Sequence, residues 1–246
     1  MDIITAQNLS AGYGRTEVLR DLTFNVPEAR ITAIVGTSGC GKSTLLKTLA
    51  GLIPPLAGKV FFGGSPVDYR SASSLASLYK GIGVLYQGGA LLNNMTLFEN
   101  VALPIRMQHS NIPVPVLQEM VYARLAQVDL VQSASKYPAE LSGGMRKRVA
   151  LARALVNDPR VVLCDEPSAG LDPITSGHLD DLLLNLKEMF HTTLVIVTHE
   201  LRSIEKVADR VIVLKDGRMP FAGEYRDLLV SDDDFLRTFF LRKARP

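Results

Sequence analysis

Cysteine, net charge and long apolar runs are scarce in this chain of 246 residues. Only two cysteines are present, Cys40 and Cys164, and they form no closely spaced pair, which excludes a disulfide framework and a zinc motif and favours a reducing compartment. With 27 Lys and Arg against 25 Asp and Glu, the net charge is +2. Because so small a charge creates no strong field toward phosphate backbones, we expect no nucleic-acid partner.

No stretch of the sequence reaches the roughly 20 consecutive apolar residues that a membrane-spanning helix needs. The first residues, MDIITAQNLSAGYG, lack the basic start and the apolar run of a secretion signal. If the protein serves a membrane, we therefore expect it to bind there from the side rather than cross it. Hydrophobic residues nevertheless make up 47% of the chain, which indicates apolar surface that partners bury.

Alternation of strand and helix patterns indicates an α/β fold. Apolar residues alternate from Leu9 to Val26 between turn signals, which predicts an antiparallel β region at the N-terminus. The apolar run ITAIVG then stops at a glycine, and STLLKTLAGL follows with leucines at helical spacing. After Pro159 three further apolar runs, VVLCDE, TLVIVTH and RVIVLKDG, alternate with helical segments, which predicts a mainly parallel sheet wrapped by helices.

Residues 88–159 break this rhythm with two amphipathic stretches, VLQEMVYARLAQVDL and GMRKRVALARALV, and with loop prolines between them. We interpret them as an inserted α-helical subdomain. Residues 1–87 and 160–230 then form the α/β core together with the N-terminal β subdomain, and residues 231–246 form a C-terminal tail. Since no internal repeat is visible, residues 1–246 are predicted to be one unit.

The strongest motif is GTSGCGKS, from Gly36 to Ser43, which fits the phosphate-loop pattern and has the required strand before it and helix after it. Glycines let backbone N–H groups turn toward phosphates, Lys42 reaches the terminal phosphates, and Ser43 can bind Mg²⁺. The alternative is a chance glycine turn before a helix. The predicted ATP-binding residues here are Gly36, Thr37, Ser38, Gly39, Cys40, Gly41, Lys42, Ser43 and Thr44.

Two carboxylates, Asp165 and Glu166, end the apolar run VVLCDEP, where a parallel strand opens onto the ligand crevice of an α/β sheet. We expect Asp165 to hold Mg²⁺ through water and Glu166 to orient or deprotonate the attacking water, because phosphoryl transfer asks the protein mainly for positioning and charge stabilisation. The alternative is a capping or turn pair before Pro167.

A third motif, LSGGMRKRVALARAL, places Ser142, Gly143 and Gly144 just before a long basic helix and creates a second anion-binding helix start. One ATP already has its phosphates in the phosphate loop, so this second start makes sense if it caps ATP held by another chain. Taken alone, it is equally well an ordinary helix cap.

These motifs, followed by SAGLDP and by the histidine of VTHE, have the order and spacing of ABC-transporter nucleotide-binding domains, which the whole chain resembles. The resemblance implies a P-loop NTPase fold with a RecA-like core, Mg²⁺-dependent ATP hydrolysis, and two copies that sandwich two ATP molecules head to tail. It further implies a transmembrane permease as partner and a peripheral position on the cytoplasmic face of the inner membrane.

The resemblance assigns four more residues. Tyr13 stacks on adenine, Gln87 senses Mg²⁺ and the attacking water, Asp172 communicates across the dimer, and His199 contacts the γ-phosphate, so that Glu166, His199, Gln87 and Lys42 form the catalytic set. From the residues alone each has a structural alternative: a strand-turn aromatic, a strand-end polar group, a helix cap before a proline, and a core or cap histidine.

One position departs from the common family signature, because Met145 stands where glutamine is usual. LSGGMRKRVALARAL together with YQGGALLNNMTLFENVALPI resembles the ATPases of Mla/MCE-type lipid transport, which implies phospholipid cargo and an MCE-domain protein as a further partner. Lipoprotein-releasing and solute-uptake ATPases remain alternatives. A soluble ABC ATPase would normally carry a coiled-coil insertion or a second cassette, and a P-loop kinase would lack LSGGM and the trailing histidine.

Two apolar segments are candidates for contacts with partners. The first follows Gln87 and either docks the permease or packs the helical subdomain. The second is in the C-terminal tail, which either packs on its own core, clasps a neighbouring subunit, or lies near lipid with Arg242, Lys243 and Arg245 outward. The apolar residues concerned are Leu91, Leu92, Met95, Leu97 and Phe98 in the first segment and Phe235, Leu236, Phe239 and Phe240 in the second.

Overall fold

The computed structural model describes residues 1–109 and 111–241 and contains two β-sheets. The strands in chain order are β1 (Asp2–Tyr13), β2 (Thr16–Pro27), β3 (Ile31–Gly36), β4 (Ala57–Phe62), β5 (Ser65–Pro66), β6 (Ile82–Leu85), β7 (Val161–Asp165), β8 (Thr193–Val197), β9 (Arg210–Lys215) and β10 (Arg218–Glu224). The helices are α1 (Lys42–Leu49), α2 (Ala72–Gly81), α3 (Leu97–Gln108), α4 (Val114–Gln127), α5 (Gly143–Leu155), α6 (Pro173–Phe190), α7 (Leu201–Val207), α8 (Tyr225–Leu229) and α9 (Asp234–Leu241), with 3₁₀ turns at Val131–Ser133 and Pro138–Glu140.

The smaller sheet is antiparallel and has the order β2-β1-β4-β5, as the alternating N-terminal pattern predicts. The larger sheet has the order β10-β9-β3-β8-β7-β6, and its five strands from β9 to β6 pair in parallel. Strands β3 and β8 are buried along their whole length, because helices or the smaller sheet cover both faces of the larger sheet. The predicted α/β fold is therefore confirmed.

Each strand of the larger sheet sends alternate side chains to opposite faces, and each face has its own core. Ile34, Leu163 and Val195 point toward α1 and the smaller sheet. Val162 and Ile196 point the other way, toward α5 and α6. Because both faces are filled with apolar side chains, the carboxyl ends of the parallel strands are held in a fixed arrangement, and the motifs lie at those ends.

Helices α3, α4 and α5 pack on one another around a separate apolar cluster. Helix α3 begins at a capping box, in which the Thr96 hydroxyl accepts from the Glu99 backbone N–H and the Glu99 carboxylate accepts from the Thr96 N–H. Much of the apolar segment after Gln87 belongs to this cluster: Leu97 is fully buried, and the Phe98 ring lies 5.4 Å from the Tyr122 ring. Leu91 also packs against this cluster, whereas Leu92 is 40% exposed.

The C-terminal tail packs on its own chain. Leu236 and Phe240 of α9 are buried against Val211, Val213 and Leu228. Arg242, Lys243 and Arg245, which the sequence places in the same tail, lie outside the described residues. Among the described helices none is long and apolar enough to cross a membrane.

Helix α2 and strand β10 are among the elements that were not predicted from the sequence. Helix α2 is rich in serine, a weak helix former, and it is held by an N-cap in which Ser71 accepts from the Ser74 N–H and by the buried side chain of Leu78. Strand β10 contains Pro220 and Gly223, which argue against a strand in sequence, but it pairs antiparallel with β9 at the edge of the sheet, where proline is tolerated.

Candidate functional site

The phosphate loop connects the end of β3 to the start of α1. Its ammonium group, Nζ of Lys42, donates to the carbonyl oxygens of Gly36 and Thr37, both at 3.0 Å, which fixes the lysine over the loop. Thr37, Ser38 and Gly39 are exposed at the tip of the loop. The backbone of the tip therefore faces solvent beside a held cation, as an anion-binding loop requires.

Gly36 occupies a position that no other residue can take without strain. Its φ is 154°, and a Cβ there would lie 2.2 Å from the carbonyl oxygen of Leu214 and 2.7 Å from Sγ of Cys40. Cys40 is 4% exposed, and burial raises the pKa of its thiol. The thiol is therefore a packing group beneath the loop rather than a reactive one.

Strand register brings three motifs to one edge of the sheet. Val197 of β8 is the register partner of Ile34 in β3 on one side and of Asp165 in β7 on the other. The phosphate loop, Asp165 and the residues after β8 therefore leave the sheet side by side. His199 follows Val197 by two residues, and Gln87 follows β6, the neighbour of β7, by two residues.

Glu166 and His199 form a hydrogen-bonded pair at this edge. Nδ1 of His199 lies 2.9 Å from Oε1 of Glu166, and the Glu166 backbone N–H donates to Val197 O at 2.8 Å. The Glu166 side chain is 12% exposed and that of His199 is 60% exposed. Glu166 has a positive φ of 48°, an uncommon backbone conformation for a residue with a side chain.

The second carboxylate oxygen of Glu166, Oε2, is buried with no hydrogen-bond partner among the described residues, and so is Oγ of Ser168 two residues later. A buried carboxylate oxygen without a donor is costly, because its lone pairs have lost water. Both atoms have the chemistry to accept a hydrogen bond from a ligand or a bound water. Glu166 Oε2 is therefore available to accept a hydrogen bond from an attacking water.

Asp165 is partly buried beside Glu166. Burial raises the pKa of its carboxyl, the Glu166 charge raises it further, and Lys47, Lys147 and Lys42 oppose the shift. A bound cation would relieve this burial cost. The Ser43 hydroxyl, the Asp165 carboxylate and the Gln87 side-chain amide are hard oxygen donors of the kind that Mg²⁺ prefers, so the residues fit this ion.

Within the described part of the chain no group of three His, Cys, Asp or Glu side chains could hold a metal by itself. Mg²⁺ in nucleotide sites is usually held by one or two carboxylates together with phosphate oxygens and waters. Tyr13 lies at the end of β1 and is 50% exposed, so its ring is accessible for stacking.

The signature segment forms a second group. Ser142 caps α5, its hydroxyl accepting from the Met145 N–H at 3.3 Å, and Gly143 is exposed beside it. A Cβ on Gly144 would lie 2.4 Å from Cγ2 of Thr175 in α6, so glycine is required for the close approach of the two helices. At the helix start Gly143 is therefore exposed, whereas Gly144 is buried against α6.

Asp172 caps the neighbouring helix α6. Its carboxylate accepts from the N–H groups of Ile174 at 3.1 Å and Thr175 at 3.0 Å and from the Thr175 hydroxyl at 2.6 Å. The Thr175 hydrogen bond lowers the pKa of Asp172. A cavity of about 600 Å³ lies between α5 and α6, and its lining includes Ser142, Gly144 and Thr175. The structure thus gathers the predicted residues, apart from Tyr13 at the end of β1, into a phosphate-loop group and a signature group.

Sequence reasoning did not single out Lys147 of α5. This lysine is only 6% exposed, and its ammonium group donates to the carbonyl oxygens of Gln87 and, at 3.2 Å, of Glu166. Burial lowers its pKa, while Asp165 and Glu166 oppose the shift. The sequence does contain a signal for this lysine. Lys147 follows Gly144 by three residues and precedes Leu151 by four, which places a cation on the buried face of α5.

Comparisons with known proteins agree with this geometry. A model of the family described as ABC transporter matches residues 19–169. The chain is 36% identical to the intermembrane phospholipid transport system ATP-binding protein MlaF of Escherichia coli strain K12, over 97% of this chain and 88% of that protein. It is also 36% identical to the probable ribonucleotide transport ATP-binding protein mkl of Mycobacterium tuberculosis strain H37Rv, over 96% of this chain but only 66% of that longer protein.

Two solved structures have the same fold. CbiO1 from Clostridium perfringens, part of the ABC transporter complex cbiONQ, superposes with a TM-score of 0.86 at 28% identity over 96% of this chain and 94% of that chain. The bacterial ABC transporter cassette MJ0796, solved as a dimer, superposes with a TM-score of 0.82 at 30% identity over 90% of this chain and 98% of that chain. MJ0796 has also been solved as a dimer in a post-hydrolysis state with ADP and Pi.

Proposed function

The chain belongs to the ABC transporter family, and from that premise we propose that it is the ATP-binding and ATP-hydrolysing subunit of a transporter whose membrane-spanning path lies in other chains. The observation that carries this proposal is the pair of Glu166 and His199 at the sheet edge where β3 opens into the phosphate loop. A buried carboxylate held by a histidine beside a phosphate loop is the arrangement that positions water for phosphoryl transfer.

The proposed roles follow from chemistry and position. Lys42 and the loop N–H groups from Gly36 to Thr44 bind the phosphates, and Tyr13 stacks on the adenine. Ser43, Asp165 and Gln87 hold Mg²⁺, which when bound neutralises charge that develops on the phosphoryl oxygens. Glu166 orients or deprotonates the attacking water, and His199 donates to the γ-phosphate.

We further propose that hydrolysis requires a second copy of the chain. Ser142, Gly143 and Gly144 form the start of α5, and the cavity beside it is lined by residues of α4, α5, α6 and their loops rather than by the phosphate loop of the same chain. Such a start can complete the site of a partner copy, with Asp172 near the interface. The dimers of the related cassette MJ0796 support this arrangement.

The test compares the wild type with Glu166→Gln. The amide keeps the size of the carboxylate but cannot take a proton, so ATP turnover should fall by at least about 100-fold while nucleotide still binds. Size-exclusion chromatography of the variant with and without MgATP should then show an ATP-dependent shift from monomer to dimer.

Retained turnover in Glu166→Gln would remove Glu166 from its proposed role. Absence of any dimer with MgATP would contradict the sandwich arrangement. Glu188→Gln is the matched control, because Glu188 is an exposed acid near the end of α6, far along the helix from the proposed nucleotide site. Its turnover should stay within about twofold of wild type.

For the cargo we propose phospholipid or a related lipid. The support is the similarity to MlaF together with Met145 and the segment after Gln87, which resemble the lipid-transport subfamily. Similarity to mkl, a probable ribonucleotide transport protein, is equally strong in identity and makes a nucleotide cargo the alternative. We place the protein at the cytoplasmic face of the inner membrane, bound to a permease.

A groove between the core and the helical subdomain supports the permease contact. It has a volume of about 370 Å³ and is lined by Tyr79 and Tyr86 on one side and by Leu103 and Met107 on the other. Met107 is 78% exposed, which leaves apolar surface for a partner helix to bury. We therefore propose this groove, rather than the segment from Leu91 to Phe98, in which Leu97 is fully buried, as the docking site of the permease.

The experiment purifies the tagged wild-type chain and Met107→Asp from detergent-solubilised membranes of the natural host. We expect the wild type to bring down a multi-span permease and an MCE-domain protein, identified by mass spectrometry, and bound phospholipid. A charge in the groove should weaken recovery of the permease by about tenfold without changing ATP turnover of the isolated subunit. Recovery of a nucleoside-binding protein instead would overturn the lipid proposal.

A further inference from the structure

A buried lysine connects the helical subdomain to both ends of the hydrolytic site. Lys147 lies in the second turn of α5, on the stripe that faces the larger sheet, and only 6% of it is exposed. Its ammonium group donates to Gln87 O after β6 and to Glu166 O after β7. A buried ammonium is costly unless it is hydrogen-bonded, so these two carbonyls account for its place in the fold.

The two carbonyls belong to adjacent strand ends. Strands β6 and β7 pair in parallel up to Leu85 and Cys164, and the chain leaves the sheet just after each. Beyond these last paired residues, no ladder hydrogen bond in the described part of the chain connects Gln87 with Glu166. The Lys147 ammonium supplies that connection, and it does so from a third element, α5, which also carries the signature segment.

The loop after Gln87 is held to α5 by a second cation. Arg153 donates to the carbonyl oxygens of Gly89 and Ala90, both at 2.7 Å, and it also lines the groove between the core and the helical subdomain. Only Lys147 of the two reaches Glu166 as well. A change in the position of α5 therefore acts on the loop after Gln87 through both Lys147 and Arg153, and on the Glu166 backbone through Lys147.

We propose that Lys147 is a positioning residue that ties the Gln87 and Glu166 backbones to the signature helix and so sets the relative placement of the Gln87 side chain and the Glu166 carboxylate. This inference rests on the proposed ATPase function and names a control element within that same site. Movement of α5, whether from dimer closure or from a partner in the groove, is thereby transmitted to the two groups that place the water.

The test uses Lys147→Met, Lys147→Gln and the matched control Arg148→Met. Methionine keeps an unbranched chain and removes the donors, whereas glutamine has no charge but still donates hydrogen bonds from its amide. Arg148 is the next residue of α5 and also donates to a backbone carbonyl, that of Val128, but this bond stays within the helical subdomain. Each variant is measured for kcat, KM, affinity for a fluorescent ATP analogue, ATP-dependent dimer formation and melting temperature.

For Lys147→Met we expect kcat to fall about 10- to 100-fold, because small misplacements of catalytic groups cost that much, while KM and nucleotide affinity stay within about threefold. Dimer formation with MgATP should persist. The kcat of Lys147→Gln should be at least about threefold higher than that of Lys147→Met. Arg148→Met should keep kcat within about twofold of wild type. A purely structural role for Lys147 would not separate kcat from nucleotide affinity in this way.

The inference is overturned if Lys147→Met turns over at the wild-type rate, if its defect lies in nucleotide affinity or dimer formation, or if Arg148→Met falls equally. Should Lys147→Met not fold, Lys147→Gln against Arg148→Gln decides the matter by the same comparison. A wild type without turnover would instead refute the proposed ATPase function, whereas normal wild-type turnover with unaffected Lys147 variants would refute this inference alone.

Discussion

Nδ1 of His199 lies 2.9 Å from the carboxylate of Glu166, and the other oxygen of that carboxylate is buried without a partner among the described residues. Histidine therefore uses one ring nitrogen to hold the carboxylate and leaves Nε2 for a different contact. Because a carboxylate oxygen only accepts, Nδ1 donates the proton of this hydrogen bond. When Nε2 is protonated as well, His199 can orient Glu166 through Nδ1 and donate to phosphate through Nε2.

Replacing His199 separates these two contributions. We expect His199→Ala to lower kcat about 100-fold or more, because both the orienting bond and the donor to phosphate are lost. His199→Asn places its amide near the position of Nδ1, so it can keep the Glu166 bond but has no counterpart of Nε2. It should remain at least about tenfold below wild type. Steady-state kinetics on both variants tests this, and full activity in His199→Asn would limit His199 to holding Glu166.

The contact between Gly144 and Thr175 gives a prediction with an internal rescue. A Cβ at position 144 would lie 2.4 Å from Cγ2 of Thr175, and Thr175 cannot rotate freely because its hydroxyl donates to Asp172 at 2.6 Å. Overpacking of this kind costs about 1–3 kcal/mol. Gly144→Ala should therefore move the start of α5 and lower turnover at least about tenfold by impairing ATP-dependent dimer formation, without loss of monomer nucleotide binding.

Thr175→Ser removes Cγ2 and keeps the hydroxyl, so the double variant Gly144→Ala/Thr175→Ser should regain most of the stability and dimer formation. Gly177→Ala is the control, because a Cβ on Gly177 would meet no atom of the described residues within 4 Å. Chromatography with MgATP and thermal unfolding measure both effects. Equal defects in the single and the double variant would show that the clash is not the cause.

The sequence was sufficient for the α/β fold because its evidence is local. Parallel strands covered on both faces appear as short continuous apolar runs, and β3, β7, β8 and β9 were each visible as such a run. The phosphate loop and the acid pair were found for the same reason, since each motif directly follows its strand. Their functional roles and the domain boundaries remain predictions.

What the sequence could not provide depends on contacts between distant segments. The Lys147 bonds to Gln87 and Glu166 span 60 and 19 residues, so no local pattern marks this lysine as part of the site. The apolar segment that contains Leu97 has the same composition whether it docks a partner or packs its own helices, and only the fold shows Leu97 fully buried. Helix α2 escaped prediction because its serines are weak helix formers, and packing of Leu78 overrides that preference.

Tyr13 provides a prediction about nucleotide affinity. Its ring is half exposed at the end of β1, and its hydroxyl makes no hydrogen bond with the described residues. Stacking of a base on an aromatic ring is worth about 1–3 kcal/mol. Tyr13→Ala should raise KM for ATP about 5- to 100-fold with little change in kcat. Tyr13→Phe keeps the π face and should behave as the wild type in an ATPase titration. Equal KM values for all three proteins would remove Tyr13 from the adenine site.

Asp180 predicts a pH dependence of stability that is separate from the nucleotide site. This buried residue of α6 accepts a 2.6 Å hydrogen bond from the Ser203 hydroxyl in α7, and Lys206, Glu200 and Asp181 are the charged groups around it. Burial raises the pKa of Asp180, and the Ser203 hydrogen bond opposes the shift. The folded protein therefore binds this proton more tightly than the unfolded chain does.

Because the pKa of Asp180 is higher in the folded state, its contribution to stability is fully present below the unfolded pKa and is lost as pH rises through the folded pKa. Asp180→Asn cannot titrate, and its Oδ1 can still accept from Ser203. The free energy of unfolding by urea should therefore become larger for Asp180→Asn, relative to wild type, as pH rises from about 4 to about 7. Asp181→Asn, an exposed neighbour paired with Lys206 at 2.7 Å, is the control and should show a much smaller change. A constant difference between Asp180→Asn and wild type across this range would mean that Asp180 does not titrate differently in the folded protein, and that the α6–α7 contact carries no buried-charge cost.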